Sequence, residues 1–473
     1  MSRELDMTVA LFPGQGAYRA GALKEFWESG DRTVRATFEE VDAVAKDRMG
    51  RDVSSTVFQP SPPSPAALLD SAPDVLQLAV FTTAVATHRL LAERGAAPSV
   101  HVGHSLGELA ALACAGAWSL ADAAAILCER ISVLREHDRS GGAMLALGCD
   151  GERAERIVAL IADPDLVLAV DNGPQSVVSG RAEPIARAEA IAAQLDITRT
   201  RLRSPHPFHH PLLDTARGVL AERLASFPSR PLDVPVYSPI LGRFYRDGDD
   251  LARLLALHLV TPVEFGPAVS ALHAAGARVF VETGAGRVLS ALVEQARPDA
   301  YVVAPLAGRD EEAGLAAAAD ALRPPLTRGS APATTVPAST VSGFTAPAST
   351  ASGFTAPAAT VTPAGPASLA PETASAAAPG PDREELSGRV RALYAEAMEY
   401  PEEVFTDDVQ LEADLGVDSV KQTELLSRLG DRFGLGLPPA GLRVADYDTF
   451  GKVVDFVAAG VTDGADAGSA AGR

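Results

Sequence analysis

Three short segments hold residue types able to do acyl chemistry. Gly103-His104-Ser105-Leu106-Gly107-Glu108 follows the apolar run Val100–Gly103 and opens an Ala-rich stretch predicted as a helix over Leu109–Ala115. A Ser at the apex of a strand–turn–helix is exposed, and the helix N-terminus steadies negative charge developing beside it. Small residues at 103 and 107 permit the tight turn, although a plain Gly-flanked turn shares this local pattern. Phe12-Pro13-Gly14-Gln15-Gly16 ends the first apolar run, at the strand end where a parallel α/β sheet presents its site. Backbone N–H groups there are placed to form half of an oxyanion hole, and an ordinary Gly-rich turn is the competing reading. His206, His209 and His210 fall within Ser204–Asp214. No Cys or carboxylate completes a ligand set beside them at metal spacing, so no metal is expected.

The elements that must position these groups read as a mixed α/β region of about 300 residues. Short apolar strands (Val9–Phe12, Val100–Gly103, Val167–Val170, Val279–Val281) alternate with Ala/Leu/Arg-rich helical stretches. That alternation predicts a largely parallel sheet with crossover helices. From Gly329 to Pro371 there is no charged residue, and PASTVSGFTA is followed directly by PASTASGFTA. Such composition buries too little apolar surface to offset chain entropy and predicts a disordered linker. Beyond it, residues 382–460 read as a small helical unit with 17 acidic against 8 basic residues. The tail, 461–473, is Gly/Ala/Asp-rich and is expected to be frayed.

Net charge −20 argues against nucleic acid as a partner, since phosphate binding needs a basic stripe. Three cysteines (Cys114, Cys128, Cys149) make no disulfide framework, which fits a reducing cytoplasm. The first residues carry no apolar targeting core, and no run of 18 apolar residues occurs. Secretion and membrane spanning are therefore not expected.

Taken in order, the GQG, GHSLGE and HPFHHPLLD segments make residues 7–306 resemble the malonyl-CoA:acyl-carrier-protein acyltransferase family, including the acyltransferase domains of polyketide synthases. The resemblance implies an α/β-hydrolase-like large lobe and a ferredoxin-like small lobe over about 142–203. It implies Ser105 as nucleophile and His209 as general base, with backbone N–H groups of Gln15 and Leu106 holding the oxyanion. Arg130, on the helix after the Ser, matches the family's Arg that grips the free carboxylate of a diacid acyl group. A planar guanidinium suits that bidentate task. Asn172 and Gln77 match polar residues of the family's site and are expected to bind substrate, although Leu78 stands where a Pro usually follows Gln77. Glu282-Thr283-Gly284-Ala285-Gly286 resembles the closing segment, with Ala285 for Pro. Among polyketide acyltransferases the HxFH form leans to malonyl: Phe208 would narrow the pocket beside the α-carbon, and Leu106 also fits. Pro207 departs from the usual Ala, and rarer extender units stay open because one methyl separates substrates by only about 1–3 kcal/mol.

In the acidic unit, Asp414-Leu415-Gly416-Val417-Asp418-Ser419-Val420 precedes a predicted helix, Lys421–Leu429. Asp418 or Ser419 is a natural N-cap there. The segment also resembles an acyl carrier protein of polyketide or polyunsaturated-fatty-acid synthases. By that resemblance Ser419 carries 4′-phosphopantetheine, and the acidic flank from Asp414 to Glu424 docks on basic patches of partner enzymes. The expected protein is thus an acyltransferase (7–306), a post-domain segment and linker (307–381), and a carrier domain (382–460). It would move a malonyl-type unit from a coenzyme A thioester to a carrier thiol. The expected partners are malonyl-CoA or a related acyl-CoA, a phosphopantetheinyl transferase, and ketosynthase-containing enzymes on other chains. Competing readings are transfer between carriers, an editing acyl hydrolase using the same Ser and His, and a scaffold whose large domain is inert.

Overall fold

The computed structural model describes residues 7–323, 383–398, and single positions and short runs between 405 and 458. The chain divides into two compact units, Met1–Leu326 and Thr327–Arg473.

In the first unit, two sheets carry the chain. The strands are β1 (Met7–Phe12), β2 (Val100–Gly103), β3 (Ala143–Leu147), β4 (Leu166–Asp171), β5 (Ser176–Gly180), β6 (Arg199–Leu202), β7 (Val236–Ser238), β8 (Arg243–Phe244), β9 (Val263–Glu264), β10 (Ala277–Glu282) and β11 (Tyr301–Val303). The larger sheet runs β11-β10-β1-β2-β7-β8 and is parallel except for the β7–β8 pair. β1 and β2 are apolar and wholly buried over most of their length, as strands covered by helices on both faces must be. Each expected strand lies inside an observed one, the pairing extending most of them by one to three residues.

The second sheet, β6-β3-β5-β4-β9, is antiparallel apart from β4–β9. Helix Gly151–Ile161 follows β3, and helix Ala182–Gln194 follows β5. The order β-α-β-β-α-β is the ferredoxin-like arrangement. β9, from the chain beyond this lobe, extends the sheet at β4.

Helix Pro73–Glu93 is long and apolar enough to cross a membrane, a feature that a search for uninterrupted apolar runs does not detect. In this fold it is a core helix, buried along most of its length and packed against helices Arg32–Met49, Gly107–Cys114 and Glu311–Leu322. Its Thr82 and Thr87 hydroxyls donate to the carbonyls of Leu78 and Thr83.

The first unit also continues past the expected end at 306. Helix Glu311–Leu322 buries Leu315, Ala318, Ala319 and Leu322 in the same core. The Asp310 side chain caps it by accepting from the Ala313 N–H at 2.9 Å. The Glu311 carboxylate accepts the Leu23 N–H at 3.0 Å and pairs with Arg19. An Ala-rich stretch beside an uncharged linker hides this attachment, because its anchors lie some 290 residues earlier in the chain.

In the second unit, helix Arg383–Met398 contributes Leu386, Val390 and Tyr394 to a core with Phe405, Leu425, Leu429, Phe450 and Val454. Tyr394 packs edge-on against Phe405 and Phe450. Ser419, the linker Gly329–Pro371 and the tail 461–473 lie outside the described residues. The expected helix Lys421–Leu429 is described only at Gln422, Leu425, Leu426 and Leu429.

His101 on β2 is fully buried, with its ring 5.0 Å from that of His88. Its Nδ1 donates to the Ala111 carbonyl at 3.2 Å, and Nε2 has no partner among the described residues. Burial holds the His101 pKa down at about 3, below the usual 6.5. Between those values the unfolded chain binds a proton that the fold refuses, so stability falls as pH drops below about 6.5. Chemical denaturation should show this decline, and His101→Gln should lessen it, with other histidines whose pKa burial lowers, such as His88 and His209, keeping the remainder. An equal decline in the variant would contradict the assignment.

Candidate active site

The site lies at the carboxyl ends of β1 and β2. These strands pair in register with Phe12 opposite Gly103, so the 12–16 loop and the Ser105 turn leave the sheet side by side. Ser105 stands between β2 and helix Gly107–Cys114 with φ 54°, in the left-handed region. Such a backbone costs about 1–3 kcal/mol and persists only where its surroundings over-determine it. Here they do. A Cβ on Gly107 would sit 1.9 Å from the Phe12 carbonyl oxygen, and one on Gly103 would sit 2.2 Å from the Glu108 backbone. The His104 N–H donates to that same Phe12 carbonyl at 2.9 Å.

His209 approaches from the segment that leaves β6. Its φ of 61° is a second left-handed non-glycine backbone, and its side chain is buried. The Nδ1–H donates to the Thr261 carbonyl at 3.0 Å. A carbonyl can only accept, so this bond places the proton on Nδ1 and leaves Nε2 as an acceptor. Nε2 receives the Ser105 hydroxyl at 2.8 Å. Burial, with His104, His258 and Arg130 nearby, lowers the His209 pKa to about 3. The imidazole is therefore neutral and able to take a proton.

Arg130, on helix Leu120–His137, donates to the Gln77 side-chain oxygen at 2.6 Å and lies 4.9 Å from the Phe208 ring centroid. Burial lowers its pKa to about 10, which still leaves it cationic at neutral pH. Among the described residues no carboxylate pairs with it. The structure therefore brings Gln77, Arg130 and Phe208 together as one group, with Arg130 also lining a cavity that reaches Ser105.

Asn172 is tied elsewhere. Its side-chain oxygen accepts from His104 Nε2 at 2.9 Å, and its N–H donates to the Gln175 carbonyl at 2.9 Å. It thus links the end of β4 to the Ser105 turn. The N–H groups of Gln15 and Leu106 find no acceptor among the described backbone carbonyls, so both donors remain available. The other two histidines have separate tasks. His206 donates from Nδ1 to Asp138 at 2.6 Å, and His210 Nδ1 accepts the Leu212 N–H at 2.9 Å.

Sequence reasoning overlooked Thr261, which acts through its backbone carbonyl and so has no side-chain signature. It also overlooked the partner of His104 and a buried group formed by Glu108, Tyr245 and His258. The Tyr245 hydroxyl donates to Glu108 Oε1 at 2.6 Å, and His258 Nε2 lies 3.5 Å from the same oxygen.

Residues 9–327 match the acyl transferase domain family, and residues 388–457 match the phosphopantetheine attachment site family. A malonyl CoA-acyl carrier protein transacylase of Bacillus subtilis is 33% identical over 291 residues, covering 60% of this chain and 89% of that protein. The polyketide synthase GfsA of Streptomyces halstedii is 34% identical over 299 residues, covering 60% of this chain but only 4% of the synthase. Among solved structures, the acyltransferase domain from the second module of the salinomycin polyketide synthase aligns with TM-score 0.60 and 28% identity. That alignment covers 68% of this chain and 74% of the domain. The malonyl CoA-acyl carrier protein transacylase of Coxiella burnetii aligns with TM-score 0.60 and 26% identity, over 68% and 99%. A Ser–His pair on a strained turn, in a fold shared with these enzymes, is accounted for by one ancestry: the chain belongs to the acyl transferase domain family and carries a phosphopantetheine attachment domain after it.

Proposed function

We propose that this protein transfers a malonyl-type acyl group from a coenzyme A thioester, through an ester on Ser105, to the thiol of an acyl carrier domain. The observation that carries this reading is Arg130, a buried cation lacking a carboxylate partner among the described residues, on the same cavity as Ser105. An uncompensated buried charge is costly, and a diacid acyl group brings the missing carboxylate.

The steps follow from the hydrogen bonds. Ser105 Oγ attacks the thioester carbonyl as its proton passes to His209 Nε2. The N–H groups of Gln15 and Leu106 receive the oxyanion. Collapse of the tetrahedral intermediate breaks the C–S bond, and the His209 proton leaves with the coenzyme A thiol. An acceptor thiol then attacks the ester, gives its proton to His209, and Ser105 recovers a proton as the ester C–O bond breaks. Gln77 and Phe208 act by fixing the guanidinium, one by a hydrogen bond and one by its ring face. Asn172 acts through His104, holding the nucleophile turn against the small lobe.

Bound to Ser419, 4′-phosphopantetheine supplies a thiol on a long flexible arm. A phosphopantetheinyl transferase would install it, and ketosynthase-containing enzymes on other chains would consume the loaded carrier in polyketide or polyunsaturated-fatty-acid-like synthesis. The acceptor is this chain's own carrier domain or one on another chain.

Arg130→Ala should lower kcat/KM for malonyl-CoA by roughly 10²–10³-fold, at about 1.4 kcal/mol per decade. Uncharged acetyl-CoA should gain relative to it, and Arg130→Lys should recover only part, because a point charge lacks the planar fork. An unchanged malonyl-to-acetyl ratio in the alanine variant would falsify the diacid assignment. Ser419→Ala should leave acylation of Ser105 intact and remove the thiol-bound acyl group, read by intact mass. A variant that still accepts phosphopantetheine would show that the attachment residue lies elsewhere.

A further inference from the structure

The cavity beside the nucleophile is small, about 20 Å³, room for about one water-sized group. Ser105, Leu106 and Arg130 line it, and buried aliphatic side chains, among them Leu220 and Leu224, form most of the rest. One further polar residue lines it, His258.

His258 follows helix Leu251–Leu257 and is almost wholly buried. Its ring is not free to swing. Nε2 lies 3.4 Å from the Tyr245 hydroxyl and 3.5 Å from Glu108 Oε1, while that hydroxyl donates to the same carboxylate oxygen. Glu108 sits in the first turn of the helix that opens at Ser105 and is fully buried, and its Oε2 has no partner among the described residues. A carboxylate so placed cannot give up either neighbour cheaply. The Tyr245 hydroxyl stays protonated, because burial and Glu108 push its pKa well up.

This geometry bears on the substrate of the reaction proposed above, and the inference rests on that reading. A malonyl group held as an ester at Ser105 and by its carboxylate at Arg130 has its α-carbon between the two. Any substituent on that carbon competes for the same small space, which His258 lines. We propose that His258, locked by Glu108 and Tyr245, is a specificity-determining wall of this cavity and disfavours bulky α-substituents. The protein would then favour malonyl thioesters over ethylmalonyl and larger ones. Phe208, which packs on the guanidinium, is a separate element of the site.

The test measures kcat/KM for malonyl-CoA, methylmalonyl-CoA and ethylmalonyl-CoA with the full-length protein. The wild type should prefer malonyl to ethylmalonyl. His258→Ala should raise the ethylmalonyl-to-malonyl ratio by roughly 10–200-fold, the range one methylene commands in an apolar pocket. His258→Gln keeps a donor towards Glu108 and a similar reach, and should hold the ratio within about threefold of wild type. Leu224→Ala opens the same cavity from another wall and should raise the ratio too, which keeps the test sharp if His258→Ala is poorly folded. An unmoved ratio in whichever of the two alanine variants melts near the wild-type temperature overturns the proposal. So does an equal loss of all three donors, which marks a purely structural role. A wild type that forms no acyl ester from any of the three overturns the acyl-transfer reading itself, a result distinct from an unmoved ratio.

Discussion

The Ser105–His209 site depends on how closely the Ser105 turn approaches the end of β1. Gly107 lies where any Cβ would collide with the Phe12 carbonyl, and that carbonyl also receives the His104 N–H. The contact fixes three things together: the left-handed backbone of Ser105, the start of the helix behind it, and its distance from the 12–16 loop. Strain at one residue, about 1–3 kcal/mol, is small beside the apolar burial of the sheet that imposes it. A larger residue at 107 would therefore displace Ser105 before it loosened the core.

Around that turn the electrostatics are arranged in opposition. His209 is neutral because burial and three neighbouring cationic or potentially cationic groups disfavour its proton. Arg130 keeps its charge because a guanidinium loses it only far above neutral pH, even after burial lowers its pKa. A carboxylate entering the cavity would satisfy Arg130 and also ease protonation of His209 as Ser105 reacts. Under the proposed reaction, substrate charge and proton acceptance would thereby be coupled. The Glu108–Tyr245–His258 group reaches the same cavity through His258.

The legible part of this site was the part written in residue types at fixed spacing. Gly103 to Glu108 announced the turn because its glycines and its flanking apolar strand are local features. Strand positions were legible for the same reason: buried parallel strands read as short apolar runs. What stayed hidden depends on contacts between distant segments. The carbonyl that orients His209 belongs to Thr261, and backbone atoms leave no mark on composition. Asn172 reads as a substrate contact from its motif, yet its oxygen is engaged by His104. His258 sits in an unremarkable Leu-rich stretch and gains meaning only through Glu108, 150 residues earlier. Helix Glu311–Leu322 was missed because its anchors, Arg19 and Leu23, stand at the other end of the unit.

The proposed transfer turns on a covalent intermediate, and trapping it is the most direct measurement. Protein mixed with malonyl-CoA, quenched in acid within its first turnovers and digested, should yield a malonyl ester on the peptide containing Ser105. The ester should be absent from Ser105→Ala and slow to form in His209→Ala. Malonyl found only as a thioester on the C-terminal unit, with none ever on Ser105 at any quench time, would contradict transfer through this site.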